Sequence, residues 1–317
     1  MENYYLDKEV LEVINILAKQ EMKLNYKKMY DLSAVDARKQ YLNMRGLLSP
    51  KRQDIYRVEN FKIDNINARY YRGYKNKNDK VLPVLLFFHG GGWVIGDLDT
   101  HDLICRQLVN ISDFDIISID YSLGPENRFP MAVRDSIKSL VWVSKTNKFP
   151  IDNKRIAVCG DSAGGNLATV LCIYNRDHLK KNIVYQALIY PSTDIGENYP
   201  SKKKYDGLIL SKKLMDWFEK MYLPKNYKNN IYDDWRLSPI KSKNLSNLPP
   251  TFIVMAECDP LCDEGIAYAK KLKKEGNIVE KMIFKGQIHG FLTMSGKLSD
   301  ANKLINILAK KIAQSFK

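Results

Sequence analysis

The feature that most constrains this chain is the segment Gly-Asp-Ser-Ala-Gly at residues 160–164. An apolar run over 155–160 precedes it, and a helical pattern over 163–175 follows it. The segment therefore predicts a strand that turns sharply into a helix, because glycines on both sides of the serine leave room for a strained backbone. Such a turn places the hydroxyl of Ser162 at the carboxyl edge of a parallel sheet, facing the positive end of the helix. Ser162 is thus a candidate nucleophile.

Strand and helix patterns alternate over most of the remaining chain. Strands are predicted at 81–88, 116–121, 155–160, 184–190, 251–256 and 279–284, and helices near 101–112, 130–146, 163–175, 263–275 and 299–315. This order predicts right-handed crossovers and an α/β fold with a mainly parallel central sheet flanked by helices. Before it, residues 61–63 and 68–71 resemble two antiparallel strands joined by an Asn/Asp turn over 64–67.

Two regions do not follow the alternation and predict a helical cap. Residues 8–28 and 33–43 have apolar positions at helical spacing. The stretch 192–237 is rich in Lys, Asn, Tyr and Trp and is too long for an ordinary crossover. We expect a single domain over 1–317, with a cap formed by about residues 1–50 and the insertion at about 192–237.

Composition and charge exclude several classes of protein. Hydrophobic residues are 45% and charged residues 27%, as in a globular protein, and no apolar run approaches the roughly 20 residues of a membrane span. The net charge of +14 comes from scattered lysines, without an arginine cluster interleaved with aromatic residues, so nucleic-acid binding is not expected. The amino terminus lacks a signal-peptide pattern, which favours a cytoplasmic protein. A homodimer is compatible with the sequence.

The five cysteines are expected to be reduced thiols rather than a functional group. Cys258 and Cys262 form a CxxxC pair, but no second pair stands at metal-site spacing. Cytosolic disulfides are also rare. We therefore predict that they are packing positions, with a redox or metal pair as the weaker alternative.

A glycine-rich segment, His-Gly-Gly-Gly-Trp at 89–93, follows the first long apolar strand. Consecutive glycines allow backbone N–H groups to turn toward one point, where they can hold a developing oxyanion. We predict Gly91, Gly92 and Ala163 as the donors. The alternatives are a plain turn or a phosphate cradle, but no Lys-Ser/Thr pair follows to complete a P-loop.

In folds with this kind of serine turn, the orienting acid and then the histidine base follow the serine along the chain. Two of the four histidines precede Ser162 and a third, His178, lies in a charged helix end, which leaves His289 in the loop after the last predicted strand. Asp259 follows the strand over 251–256 and is the predicted acid that fixes the imidazole tautomer. Glu257 and Asp263 remain competitors for that role.

The motifs together resemble the hormone-sensitive lipase family of α/β-hydrolases. They are HGGGWVIGDLDTHD (89–102), YSLGPENRFP (121–130), GDSAGGNL (160–167), DPLCDEG (259–265) and HGF (289–291). The resemblance implies the α/β-hydrolase fold and a serine esterase that acts on short- to medium-chain acyl esters through an acyl-enzyme. It implies the same roles for Ser162, Asp259, His289 and the three oxyanion donors, with a small-molecule ester as substrate and with no metal or organic cofactor.

Three aromatic residues, Trp93, Trp217 and Tyr222, are predicted to wall the substrate pocket, although packing alone would also explain them. Glu126 and Glu264 are expected to be structural carboxylates. Two alternatives to an esterase stay open at this point. An amidase or formamidase would use the same three side chains, and a ligand-binding member of the fold would lack turnover.

Overall fold

An eight-stranded sheet forms the centre of the protein, which is described by a computed structural model over residues 4–78 and 80–317. The strands are β1 (Arg57–Ile63), β2 (Ile66–Arg72), β3 (Leu82–Phe88), β4 (Asp115–Asp120), β5 (Ile151–Asp161), β6 (Ile183–Ile189), β7 (Thr251–Cys258) and β8 (Val279–Ile288). Their order in the sheet is β1-β2-β4-β3-β5-β6-β7-β8. β2 is antiparallel to both β1 and β4, and all other neighbours are parallel. The predicted fold class is confirmed.

Helices cover both faces of the sheet and extend beyond its carboxyl edge. They are α1 (Lys8–Lys23), α2 (Ala34–Leu48), α3 (Asp102–Asn110), α4 (Met131–Val143), α5 (Ala163–Tyr174), α6 (Pro200–Lys204), α7 (Lys212–Tyr222), α8 (Cys262–Lys274) and α9 (Ser299–Ser315). Among the described residues, none of the helices combines the length and hydrophobicity that crossing a bilayer requires.

The two faces of β3 show why its sequence is apolar throughout. Every residue of β3 is buried. Leu86 and Phe88 belong to the hydrophobic cluster that includes α4, α5 and α8, whereas Leu85 and Phe87 belong to the cluster that includes α3 and α9. Because successive side chains of a strand point to opposite faces, a strand covered on both sides needs an unbroken apolar run.

The amino-terminal hairpin differs from its predicted form. Ile63 and Ile66 are paired, so the turn contains only Asp64 and Asn65 rather than residues 64–67. Asp64 adopts a left-handed φ of 51°, which Asn and Asp tolerate better than most residues. A two-residue turn therefore suffices, and the strand β2 begins earlier than expected.

The two regions predicted as a cap meet through a short 3₁₀ turn. The predicted helix over 8–28 ends at Lys23, and the chain then forms the 3₁₀ turn Met29–Asp31. This turn contacts both α2 and α7. We call α1, α2, the Met29–Asp31 turn and residues 192–237 the cap segments.

Glycines permit the backbone contact between the ends of β3 and β5 and the start of α5. A Cβ atom on Gly164 would lie 2.0 Å from the carbonyl oxygen of Phe88, and one on Gly160 would lie 2.3 Å from the carbonyl carbon of Gly164. Real Cβ atoms do not approach that closely. The glycines thus bring Ser162, at the end of β5, next to the loop that follows β3.

We expect Gly164→Ala to lower the free energy of unfolding by roughly 3 kcal/mol, because its methyl group would overlap backbone that cannot rotate away. Gly46→Ala is the matched control. Gly46 lies inside α2 with no heavy atom within 4 Å of a Cβ placed there, so alanine should stabilise the helix by about 0.5–1 kcal/mol. Chemical denaturation of both variants checks this, and equal effects would contradict the packing argument.

Candidate active site

Three side chains from three loops lie in a hydrogen-bonded line at the carboxyl edge of the sheet. His289 Nε2 is 2.9 Å from Ser162 Oγ, and His289 Nδ1 is 2.7 Å from Asp259 Oδ2. Asp259 is fully buried, and its other carboxylate oxygen accepts the backbone N–H of Leu261 at 2.9 Å. Because β5, β7 and β8 all end at this edge, residues far apart in sequence meet there.

The two competing carboxylates have other partners. Glu257 accepts the backbone N–H of Gly286 at 2.8 Å, and Asp263 accepts that of Ser201 at 2.8 Å. The structure therefore brings Asp259, among the three sequence candidates, to the imidazole.

Ser162 has the strained backbone that its motif predicts. Its φ and ψ are 55° and −117°, a conformation that costs a residue with a side chain of order 1–3 kcal/mol. Backbone hydrogen bonds help to hold it: its N–H donates to Ile189 at 2.8 Å, and its carbonyl accepts from Asn166 at 3.0 Å. The residue immediately precedes α5, so the positive end of that helix faces the hydroxyl.

The glycine-rich loop lies opposite the serine. Gly91 and Gly92 have positive φ values of 123° and 59°. Both line one cavity together with Ser162, Ala163 and His289. The predicted donors are thus brought to the same cavity as the serine and the imidazole.

Arg38 in α2 ties this loop to the cap segments. Its Nε donates to the carbonyl of Val94 at 2.8 Å, and its Nη2 donates to the carbonyl of Gly124 at 2.8 Å. The same guanidinium forms a two-point ion pair with Glu126. Glu126 therefore has a structural partner, as the sequence suggested.

A buried network beneath the loop was missed at the level of sequence. Asp161 accepts the backbone N–H of Gly90 at 2.8 Å and lies 3.1 Å from His101 Nε2. Burial alone would raise the pKa of Asp161, but the charge and hydrogen bonding of His101 bring it below its ordinary value. The position of Asp161 directly before the serine was its only sequence signal.

His89 lies in the same buried region. Its ring stacks on Tyr121 with centroids 4.3 Å apart, and its Nδ1 is 2.8 Å from the carbonyl oxygen of Gly90, so Nδ1 carries the proton. Burial first, and then the nearby His101, lower the pKa of His89 to about 4. His89 is therefore neutral near pH 7 and serves to hold the start of the loop.

The cavity above Ser162 has a volume of about 530 Å³, within the range of small-molecule sites. Its walls come from the sheet edge and the cap segments, and they include Leu17, Tyr41, Leu210, Met215 and Phe218. These cap residues belong to no motif that would single them out before the structure is known.

The three predicted aromatic walls have different places. Trp93 lines the cavity, whereas Trp217 and Tyr222 do not. Tyr222 stacks behind Trp93 with ring centroids 4.8 Å apart, and Trp217 packs against Phe218 at 5.3 Å. The prediction is therefore wrong for Trp217 and Tyr222. Their rings are buried in the hydrophobic core behind the residues that line the cavity.

Charged groups on the cavity wall are mostly paired. Glu264 is fully buried, accepts the backbone N–H of Thr193 at 2.7 Å and lies 3.0 Å from Lys202 Nζ. Lys28 pairs with Glu21 at 2.6 Å. Within residues 4–78 and 80–317, no cluster of three or more His, Cys, Asp or Glu side chains is arranged to hold a metal ion.

Comparisons with known proteins agree with this geometry. A sequence profile of the alpha/beta hydrolase fold matches residues 85–293. The chain is 38% identical over 260 residues to the carboxylic ester hydrolase LipN of Mycobacterium tuberculosis, covering 78% of this chain and 68% of that protein. It is 31% identical over 298 residues to the ethyl acetate hydrolase of Pseudomonas putida, covering 90% and 92%.

Solved structures show the same likeness. A hyperthermophilic esterase from the archaeon Pyrobaculum calidifontis superposes with a TM-score of 0.88 at 35% identity, covering 98% of each chain. An alpha/beta hydrolase enzyme from the metagenome of Lake Arreo in Spain superposes with a TM-score of 0.91 at 34% identity, covering 98% of this chain and 99% of that one. The chain belongs to the alpha/beta hydrolases, in the family of hormone-sensitive lipase-like carboxylesterases.

We expect His89 to make the protein less stable at acid pH. Between pH 6.5 and about 4 the unfolded chain binds a proton at His89 that the folded protein does not, so the free energy of unfolding falls as pH falls, by up to about 3 kcal/mol. His89→Asn should remove this part of the slope in denaturation curves measured from pH 7 to pH 4. His178→Asn, at an exposed histidine, should keep the wild-type slope, and an unchanged slope in His89→Asn would contradict the assignment.

Proposed function

We propose that this protein is a serine esterase that hydrolyses carboxylic esters with Ser162 as nucleophile, His289 as base and Asp259 as orienting acid. The single observation that carries the proposal is the continuous line of hydrogen bonds from Asp259 through His289 to the hydroxyl of Ser162, at 2.7 and 2.9 Å. Its reactive end opens into a cavity of small-molecule size.

The acylation step begins with proton transfer from Ser162 Oγ to His289 Nε2. The freed oxygen attacks the ester carbonyl carbon, and the carbonyl electron pair moves onto its oxygen. We assign the N–H groups of Gly91, Gly92 and Ala163 as donors to that oxyanion, since all three residues line the cavity beside the serine. Asp259 accepts a hydrogen bond from the Nδ1–H group of His289, which fixes the tautomer and stabilises the imidazolium.

Collapse of the tetrahedral intermediate completes the first half of the reaction. His289 donates its proton to the leaving alcohol, and the acyl group stays on Ser162. Water then attacks the acyl-enzyme with His289 again as base, and the acid leaves while the serine recovers its proton. The reaction as written uses only the ester and water.

The cavity wall supports esters with short to medium acyl chains as substrates. Its surface is mainly apolar, and most of its charged groups pair with each other, so the wall favours a neutral, hydrophobic substrate. One relative is named an ethyl acetate hydrolase, which agrees with a small ester. The same machinery could cleave an amide, but the named relatives favour the ester.

The cap segments, as we interpret them, form a lid that excludes water from this reaction. A Cβ atom on Gly92 would lie 2.4 Å from the ring of Phe218 in α7, so the lid packs directly on the glycine-rich loop.

All five cysteines are free and buried, as expected for a protein that works in a reducing compartment such as the cytoplasm.

Ser162→Ala should reduce turnover of 4-nitrophenyl butyrate by about 10⁴-fold or more, because no other group can form the acyl-enzyme. Wild-type protein should gain one fluorophosphonate adduct by intact mass, and Ser162→Ala should gain none. Ser144→Ala, at the residue that caps the carboxyl end of α4, is the control and should retain activity and labelling. Activity that survives in Ser162→Ala, or a rate on the matched butyryl amide above that on the ester, would refute the proposal.

Asp259→Asn should lower kcat by about 10³- to 10⁴-fold, because an amide at this position no longer selects the tautomer with the proton on Nδ1. Glu257→Gln tests the competing acid. Its amide oxygen can still accept the N–H of Gly286, so we expect a change of no more than about threefold. A larger loss in Glu257→Gln than in Asp259→Asn, measured by steady-state kinetics, would reverse the assignment.

A further inference from the structure

A second cavity of about 580 Å³ lies beside α2 and does not include Ser162 among its lining residues. Its charged lining residues are Arg45, Arg52, Arg69, Arg106, Asp99 and Asp102. Four guanidinium groups thus face two carboxylates, which leaves a formal charge of +2. Because arginine cannot lose its proton in a protein, this excess is permanent.

The base of the cavity holds a buried guanidinium with an unused donor. Arg106 is 3% exposed. Its Nε donates to Asp102 at 2.6 Å and its Nη1 to the carbonyl of Gln53 at 3.1 Å, whereas its Nη2 has no hydrogen-bond partner among the described residues. A buried donor left without an acceptor is costly. Because Arg106 lines the cavity, this unpaired donor belongs to a residue of the cavity wall.

The aspartates do not neutralise the arginines one by one. Asp102 is shared by three of them: Arg106, Arg69 at 3.1 Å and Arg52 at 3.6 Å. Asp99 pairs with Arg69 at 2.8 Å. The side chain of Arg52 is 67% exposed while that of Arg106 is 4% exposed, so the positive groups extend from the mouth to the base.

Arg45 connects this cavity to the one that contains Ser162. Tyr41 and the residues three, four and seven positions after it line the Ser162 cavity. Leu42 and the residues three, four and seven positions after it line the second cavity. Such spacings mark one side of a helix, and Arg45 belongs to both sides. Its guanidinium contacts Thr293 and lies 4.6 Å from the Tyr41 ring, and no ion pair joins it to a carboxylate of the described residues.

We propose that the second cavity is a binding site for small carboxylate anions. A planar carboxylate has two oxygens that match the paired N–H groups of a guanidinium. It would bring an acceptor beside Arg106 and offset the excess charge. Through Arg45 the site adjoins the cavity where ester hydrolysis, as proposed above, releases a carboxylate. The second cavity is then the place where the acid product is held after it leaves Ser162, a role that rests on the proposed function.

Titration with ¹³C-labelled butyrate at constant ionic strength, followed by NMR, tests the binding site. The protein is first treated with a fluorophosphonate so that Ser162 and the adjoining cavity are blocked, and an untreated sample is measured in parallel. Butyramide, which has nearly the same shape without the charge, and inorganic phosphate are the comparison probes. Failure of the fluorophosphonate to label Ser162 would count against the proposed function, whereas absence of butyrate binding in the untreated sample, which needs no reactive serine, would count against the binding site.

We expect saturable butyrate binding that survives the blocking step. Arg106→Gln should weaken it about 10-fold through loss of a charge-assisted hydrogen bond, and Arg52→Gln at the exposed mouth about threefold. Arg134→Gln removes the same charge from an exposed arginine in α4 and should have no effect. If Arg106→Gln fails to fold, Arg52→Gln against Arg134→Gln decides the test.

Four outcomes would overturn the proposal. They are absence of saturable binding, loss of binding after Ser162 is blocked, equal affinity for butyramide, and equal weakening in Arg134→Gln. Phosphate bound more tightly than butyrate would overturn the assignment to carboxylates.

Discussion

The rest of the structure depends on one close backbone contact, between Gly164 at the start of α5 and the carbonyl of Phe88 at the end of β3. No residue with a side chain fits there. The contact fixes where the helix begins relative to the strand, and so it fixes the distance between Ser162 and the glycine-rich loop that follows Phe88. The proposed nucleophile, the helix terminus and the loop amides are thereby assembled by packing within the sheet, before any substrate is present.

Buried carboxylates and their hydrogen bonds also hold the site in place. Asp259 is buried where it can accept from the imidazole and from a backbone N–H, and Asp161 holds the loop from beneath. Each buried carboxylate has donors or a cationic neighbour, as a dry site requires. On the cavity wall, Lys28 and Lys202 are paired with glutamates, whereas Arg45 has no such partner among the described residues. The cavity that contains Ser162 is thus mainly apolar, whereas the second cavity beside it is rich in arginine.

Sequence reasoning could predict the sheet and the three side chains that form the hydrogen-bonded line at its edge, because these features depend on local patterns. Apolar runs define buried strands, and the glycines around Ser162 report a turn that tolerates nothing larger. The order of the four histidines then left His289. The cavity wall was harder to predict. Trp217 and Tyr222 are both buried residues of α7, but periodicity does not say which ring reaches the cavity and which packs behind another ring. The contribution of Arg45 depends on how α2 lies over the sheet edge, and no local pattern encodes that placement.

In the proposed reaction, Ser162, His289 and the amides of Gly91, Gly92 and Ala163 converge on one reacting carbon. A crystal structure of the protein after reaction with a phosphonate ester tests it most directly, because the phosphonyl group has the shape and charge of the tetrahedral intermediate. We expect a covalent bond from Ser162 Oγ to phosphorus and a phosphonyl oxygen about 2.7–3.1 Å from those backbone nitrogens. A phosphonate attached elsewhere, or an oxygen directed away from the glycine-rich loop, would contradict it.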